Sequence, residues 1–449
     1  MKKRERRRII ERAEIIRSAV FFFVLALGAV IALIIPLHPT TSEIEKRDLA
    51  KFPSFSLTSF LDGTYFKDID TWYSDTFPFR ESLISANSAL QSFNGIGSVQ
   101  IHGTVKKGDE IPTDNEGKIA TLQELPSVEE SSSAEATTTT PSSSEEENVN
   151  LPTQKLGPVF VAGNAGYELY SFGKEMSEQY AAVINYAADE LDGIADVYDI
   201  IIPNSTGVVL PENIRKDIGT SDQKEAMSYI FSVMSSKVKK VNIYDVLKEH
   251  KNEYIYFRTD HHWTQLGAYY AYTEYCKARG LTAKPIDFYE KQEYPGFLGS
   301  FYADSGKAPE LAATPDTVEA YCPKATNDMV YVDKNGNEVK WNIVSDVSGW
   351  GTSTKYSAFI GGDNPLVKIK NPELSDGSAC VVIKESYGNA FVPFLVDHYE
   401  NVYVLDYRYY KGKLKDFVTE NKVKDVIYIN NIMATGTSLR INDLIRITK

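Results

Sequence analysis

The chain has 449 residues and a formal net charge of −13. Eight Lys or Arg against three Glu in residues 1–17 give +5, so the remainder carries −18. An acidic body excludes nucleic-acid binding, which needs clustered cations, and broad adhesion to anionic surfaces.

Residues 18–37 run twenty positions without a charge. That length matches a helix crossing the hydrocarbon core of a bilayer. The dense cationic flank of 1–17 belongs on the cytoplasmic side, so the bulk of the chain is expected outside. A cleaved signal peptide would end in a small-x-small site. Ile34, Ile35, Pro36 and Leu37 stand there instead. The expectation is a single-pass cell-membrane protein whose partner is the lipid bilayer through 18–37, with an extracytoplasmic C-terminal domain.

Residues 41–107 read as a short N-terminal extracytoplasmic region, and 108–155 as a low-complexity linker or insertion. Within the linker, 124–150 holds seven Glu, no Lys or Arg and almost no large apolar side chain. Such a stretch cannot bury enough apolar surface to offset chain entropy. The main domain is expected over 156–449. There, strands at 197–203, 238–243, 379–384, 402–406 and 425–429 alternate with helices at 175–191, 223–235, 265–279, 389–398 and 413–421. Continuous β-branched runs separated by amphipathic helices predict an α/β fold, a parallel sheet with helices on both faces. Sites in such sheets lie beyond the carboxyl ends of the strands. That draws attention to Asn204, Ser205, Glu385, Ser386, the 406–408 turn, Asn430 and Asn431. Three cysteines, Cys276, Cys322 and Cys380, fit no metal spacing and allow at most one internal disulfide.

Two segments carry residues suited to chemistry. Residues 258–264 read Arg-Thr-Asp-His-His-Trp-Thr and follow an apolar extended run. Thr264 can cap the next helix and Gly280 can end it. In an extended backbone, residues two apart point the same way. Asp260 and His262 would then share a side, with His261 turned away. A carboxylate beside an imidazole fixes its tautomer and stabilises the imidazolium. In the second segment a strand ends at Lys384, and Ser386 follows just ahead of a helix. That arrangement has the logic of a nucleophile elbow without Gly-x-Ser-x-Gly. The N–H groups near Tyr387 and Gly388 are candidate oxyanion donors. Other readings stand beside these. Asp260 and His262 also suit a hydrogen-bond cluster at a helix start, and Ser386 an ordinary helix N-terminal serine. The two adjacent histidines with Asp260 also suggest a metal, but His38, His102, His250 and His398 supply no further ligand in metal-like spacing. No metal or other cofactor is expected.

The Asp-His-His-Trp tetrad at 260–263 resembles the hallmark of the bacterial DHHW protein family. Other blocks resemble it too: 43–47 with Phe52 and Pro53, Leu61-Asp62-Gly63, 75–80, Phe297-Leu298-Gly299-Ser300, 356–363 and 384–391. That family is similar to the alginate O-acetyltransferase group, whose domains are SGNH-hydrolase-like. The resemblance implies an SGNH-like fold in which Asp260 and His262 supply acid and base and Ser386 the nucleophile. Trp263, Arg408, Tyr387 and Asn389 become candidate substrate contacts. Where these motifs usually carry Asp before the nucleophile, this chain has Glu385. The C-terminal carbohydrate-binding module of some relatives has no room after the last strand, so Tyr407, Tyr409 and Tyr410 become candidates for stacking on sugars. The function implied is a membrane-anchored O-acyltransferase or esterase working on a cell-envelope or exported glycan, with a membrane acyl-donor partner. The alternative is a glycan-binding or envelope-assembly protein that keeps the fold without turnover.

Overall fold

The computed structural model describes residues 158–449 continuously and, before them, 41–42, 47–56, 59–60, 63–77, 99–102, 107–115 and 117–122. The basic tail, the apolar run of 18–37 and the tract 124–150 lie outside the described residues. Among the described residues, no helix is long and apolar enough to cross a membrane. The chain divides into two compact units, Met1–Leu90 and Gln91–Lys449.

In the first unit, β1 (Thr41–Ser42) pairs antiparallel with β2 (Arg47–Asp48). Helix α1 (Thr64–Asp75) starts from Gly63, whose φ of 85° suits a residue without Cβ. The ring of Phe52 packs edge-on against Trp72 at 4.9 Å.

The second unit opens with β3 (Val99–His102), which pairs antiparallel with β4 (Val159–Ala162), itself paired with β5 (Ala165–Glu168). The end of the expected N-terminal region is therefore part of the main unit. So is the start of the expected linker. The N–H of Asp109 donates to Phe172 O at 2.8 Å, and that of Ala120 to Val233 O at 2.9 Å. The Asp109 carboxylate accepts from Lys174 N at 2.9 Å. Ile111 and Leu122 pack on the core beneath them. Apolar side chains and satisfied backbone groups hold 107–122 in place, so the linker boundary read at 108 moves past 122.

Helix α2 (Lys174–Glu190), β6 (Asp196–Ile202), α3 (Gln223–Ser232), β7 (Val238–Val241) and α4 (Gln265–Arg279) follow. Thr264 caps α4 through Gly267 N, and Gly280 ends it at φ 80°. Next come the antiparallel pair β8 (Glu290–Phe297) and β9 (Asp316–Cys322), then β10 (Asp328–Val332), β11 (Glu338–Asn342), β12 (Leu366–Lys370), β13 (Ala379–Lys384), β14 (Asn401–Asp406), α5 (Leu414–Glu420), β15 (Asp425–Asn431) and α6 (Ser438–Thr448). The eight-stranded sheet has the order β11-β10-β12-β14-β13-β15-β6-β7. The strands from β14 to β7 are parallel. The expected all-parallel sheet is corrected at one side, where β12, β10 and β11 extend it antiparallel. The expected helix over 389–398 is two short 3-10 segments, Ser386–Ala390 and Val392–Leu395. Pro393 cannot donate to a continuous ladder.

Every residue of β13 is buried, because alternate side chains feed two cores. Cys380 and Val382 join Trp263, Tyr272 and Tyr275 on one face. Val381 and Ile383 join Tyr180, Val183 and Leu444 on the other. All three cysteines are free and buried.

At the carboxyl end of β13 the chain buries four charges. Lys384 Nζ lies 3.0 Å from Asp363 Oδ1 and 2.9 Å from Asp406 Oδ2. Arg408 Nη2 lies 2.7 Å from Asp363 and 2.6 Å from Asp406. Burial alone would push the Asp363 carboxyl up. Arg408 and Lys384 outweigh it and hold that carboxyl well below the usual range. Two cations balance two carboxylates, so removing one partner strands a buried charge. Lys384→Met is expected to cost about 3–5 kcal/mol in denaturant unfolding. A cost below about 1 kcal/mol would show that the cluster does not secure this end of the sheet.

Candidate active site

Residues 258–262 do not run extended. Tyr256 and Trp263 form a bridge, and the Phe257 N–H donates to His262 O at 3.2 Å, so the segment between them bends back. Asp316 supports the bend by accepting from the N–H groups of Arg258 and Thr259 at 3.0 and 2.6 Å. Asp260 closes it. Its Oδ1 accepts from the backbone N–H of His262 at 3.0 Å and from the ring Nδ1 at 2.6 Å. Its Oδ2 accepts from Ser300 N at 2.8 Å. Asp260 and His262 do share a side, but a bend brings them together rather than a pleat. His261 is not turned away, since its ring centre is 3.8 Å from that of His262. A Cβ at Gly299 would come within 2.1 Å of Asp260 Oδ2, so the Phe297-Leu298-Gly299-Ser300 block fits only with glycine there.

The second segment meets the first at His262. Ser386 Oγ lies 2.8 Å from His262 Nε2. Burial raises the Asp260 carboxyl, but the two imidazoles and the Ser300 N–H outweigh it and keep it well below the usual carboxylate range. An ionised Asp260 fixes the proton of His262 on Nδ1, which leaves Nε2 free to accept from the Ser386 hydroxyl. This is a hydroxyl, an imidazole and a carboxylate in hydrogen-bond reach, the arrangement that nucleophilic catalysis uses. The ring of Tyr356 stacks on His262 at 3.9 Å and 12°, and its hydroxyl donates to Ser386 O at 3.0 Å.

Glu385 secures the turn. Its Oε2 accepts from Tyr387 N at 3.2 Å and lies 3.1 Å from Ser386 Oγ. Its Oε1 accepts from Asn431 N at 2.9 Å, which ties β13 to β15 across the sheet end. The expected oxyanion donors are therefore engaged: Tyr387 N–H with Glu385 Oε2, and Gly388 N–H with Glu385 O at 3.0 Å. Among the described residues, the Ser386 N–H is the donor of this turn left without a partner.

The other expected contacts are frame rather than surface. Trp263 is fully buried and donates through Nε1 to Tyr387 O at 2.9 Å. Tyr387 is buried and its hydroxyl donates to His261 O. Asn389 donates to Asp363 at 3.1 Å, inside the ion cluster that also holds Arg408. Tyr407 is fully buried, whereas Tyr409 and Tyr410 are half-buried. Asn204 and Asn431 are buried caps, accepting from Thr206 N and Met433 N. Sequence reasoning assigned no role to Ser300, Tyr356 or Asp363. The signal lay in the family blocks at 297–300 and 356–363, which said that these residues matter but not what they touch. Ligand atoms of Asp260, His261 and His262 lie within 4.8 Å of one another. Both Asp260 oxygens and both His262 nitrogens are already engaged, so a metal there would displace the chain to Ser386.

A family model described as DHHW protein matches residues 45–151 and 140–405. Among solved structures, a DHHW family protein from Eubacterium siraeum is 28% identical, with 66% of this chain and 98% of that one covered and a TM-score of 0.60. Bacillus cereus PatB1 with a sulfonyl adduct is 18% identical, with 65% and 98% covered and a TM-score of 0.53. PatB1 in a second structure is 19% identical, with 63% and 98% covered and a TM-score of 0.53. The likeness to PatB1 is one of fold, a mixed α/β unit around a large central sheet. No curated protein matches the sequence.

His261 makes a pH-dependent contribution. Burial, then the neighbouring His262, pushes its imidazole down to about 4 from 6.5. Between those values the unfolded chain binds the extra proton, so stability present at neutral pH is lost as pH falls from about 6.5 to 4. With 26% of the side chain exposed, the loss is expected to be about 2 kcal/mol. Unfolding measured across this window should show a shallower slope for His261→Gln; an unchanged slope would place the proton uptake elsewhere.

Proposed function

The chain belongs to the DHHW protein family, and from that premise we propose that it is a membrane-anchored, extracytoplasmic, SGNH-hydrolase-like O-acyltransferase or esterase acting on a cell-envelope or exported polysaccharide. The observation that carries this reading is the continuous relay from Ser386 Oγ to His262 Nε2 at 2.8 Å and from His262 Nδ1 to Asp260 at 2.6 Å. Ser386 Oγ attacks the carbonyl carbon of an acyl ester while its proton passes to His262 Nε2. Asp260 stabilises the imidazolium, and the Ser386 N–H faces the developing oxyanion. His262 returns the proton to the departing alcohol, leaving the acyl group on Ser386. A sugar hydroxyl, or water, then gives its proton to His262 and takes the acyl group, which regenerates Ser386. The charge asymmetry about 18–37 supports the anchor and the outward orientation. The partners in this reading are the bilayer, a glycan hydroxyl and a membrane-borne acyl donor. The sulfonyl adduct of PatB1 suggests a probe, since sulfonyl reagents cap activated hydroxyls.

One observation favours binding without turnover. Glu385 Oε2 also lies 3.1 Å from Ser386 Oγ, a second acceptor for the single hydroxyl proton. Hydrolysis of a model acetyl ester separates the two readings. Ser386→Ala and His262→Ala are each expected to lower turnover by about 10⁴-fold or more, and the double variant no further, because the pair acts as one unit. A sulfonyl fluoride should add once to the wild type and not to Ser386→Ala. Turnover and labelling that survive Ser386→Ala would end the enzyme reading.

Topology is tested separately. The native cysteines are buried, so a cysteine introduced within 124–150 reports alone. It is expected to react with an impermeant thiol reagent on intact cells. Reaction only after lysis would reverse the orientation.

A further inference from the structure

We propose that His261 is a second substrate-facing residue, a neutral imidazole whose Nε2–H donates to the carbonyl oxygen of the acyl group as Ser386 is acylated. The inference rests on the acyl-transfer reading and assigns a second donor beside the Ser386 N–H. Stabilising a tetrahedral oxyanion takes preorganised donors. At this turn the N–H groups of Tyr387 and Gly388 are engaged by Glu385, leaving that of Ser386.

His261 lies beside the reacting pair. Its ring centre is 3.8 Å from His262 and 5.6 Å from Tyr387. With 26% of its side chain exposed, against 8% for His262, it is the imidazole of the two that meets solvent. Hydrogen bonding sets its tautomer. Ser300 Oγ accepts from the His261 backbone N–H at 3.2 Å and lies 2.6 Å from the ring Nδ1. A Ser300 hydroxyl that donates to Nδ1 leaves the ring proton on Nε2, and that is the tautomer this proposal assigns; the described residues supply no partner for Nε2. Two imidazoles whose ring centres lie 3.8 Å apart do not both carry charge. The displaced pKa of His261 is consistent with its staying neutral while His262 becomes the imidazolium. A neutral donor stabilises an oxyanion without competing with His262 as base.

Kinetics on the model acetyl ester, with the full chain, test this. His261→Phe keeps a ring without a donor and is expected to lower kcat by about 10²–10³-fold with little change in KM. His261→Gln keeps an N–H donor and is expected to lie within about tenfold of the wild type. Ser300→Ala removes the partner that fixes the tautomer and should fall between them. Wild-type turnover in His261→Phe overturns the proposal. So does nitrogen NMR of the wild type showing His261 protonated on Nδ1, a readout that does not depend on any variant folding. These outcomes are distinct from failure of the acyl-transfer reading, in which Ser386→Ala itself would retain turnover.

Discussion

The site depends on one buried carboxylate. Asp260 is charged in a place where charge is costly, and each of its oxygens is committed. Oδ1 holds both the backbone and the ring of His262, and Oδ2 holds Ser300 N. These bonds close the bend at 258–262, set the tautomer of His262 and fasten the loop at 297–300. The two imidazoles and the Ser300 N–H together hold this buried charge ionised against the cost of burial. The same geometry therefore enforces structure and chemistry together. The glycine at 299 follows from it, because no side chain fits against Oδ2.

The opposite half of the site is held by the end of β13. Lys384 is locked among Asp363, Asp406 and Arg408, and Glu385 reaches from Tyr387 N to Asn431 N. Ser386 is thus carried on a turn fixed from both neighbouring strands. Glu385 has a cost as well as a benefit. Its carboxylate occupies the Tyr387 N–H that a serine turn could offer to an oxyanion, and it shares the Ser386 hydroxyl with His262. A shorter Asp at 385 would have less reach toward Asn431. The larger side chain spans from Tyr387 N to Asn431 N and so secures the turn.

Much of the architecture was legible in the chain itself. The runs at 379–384 and 425–429 are apolar apart from Lys384 and Asp425 at their ends because a central parallel strand is buried on both faces, and they fold as β13 and within β15. Thr264 and Gly280 bound α4 because cap chemistry is local. The antiparallel extension was not legible. Strands β10 and β11 carry mostly half-exposed or exposed side chains, and their direction is set by which edge they join. The docking of 107–122 was hidden for a related reason, since its few apolar residues gain meaning only against α2 and α3.

For the site, the sequence by itself determined which residue types are present and in what order. Asp260 lies two before His262, Ser386 lies just past a strand end, and the family blocks surround them. Only the tertiary structure decided what each one touches. A separation of 124 residues between His262 and Ser386 closes to 2.8 Å because α4 and β13 pack in one core, a fact that no local pattern encodes. Burial turned Trp263, Tyr387, Asn389 and Arg408 from expected contacts into frame, because polar groups near a reacting centre must first satisfy one another when water is excluded. The same packing brought His261, expected on the far side, to the face of His262. A backbone bend, set by where Asp260 finds its donors, overrode the two-residue period that an extended strand would have imposed.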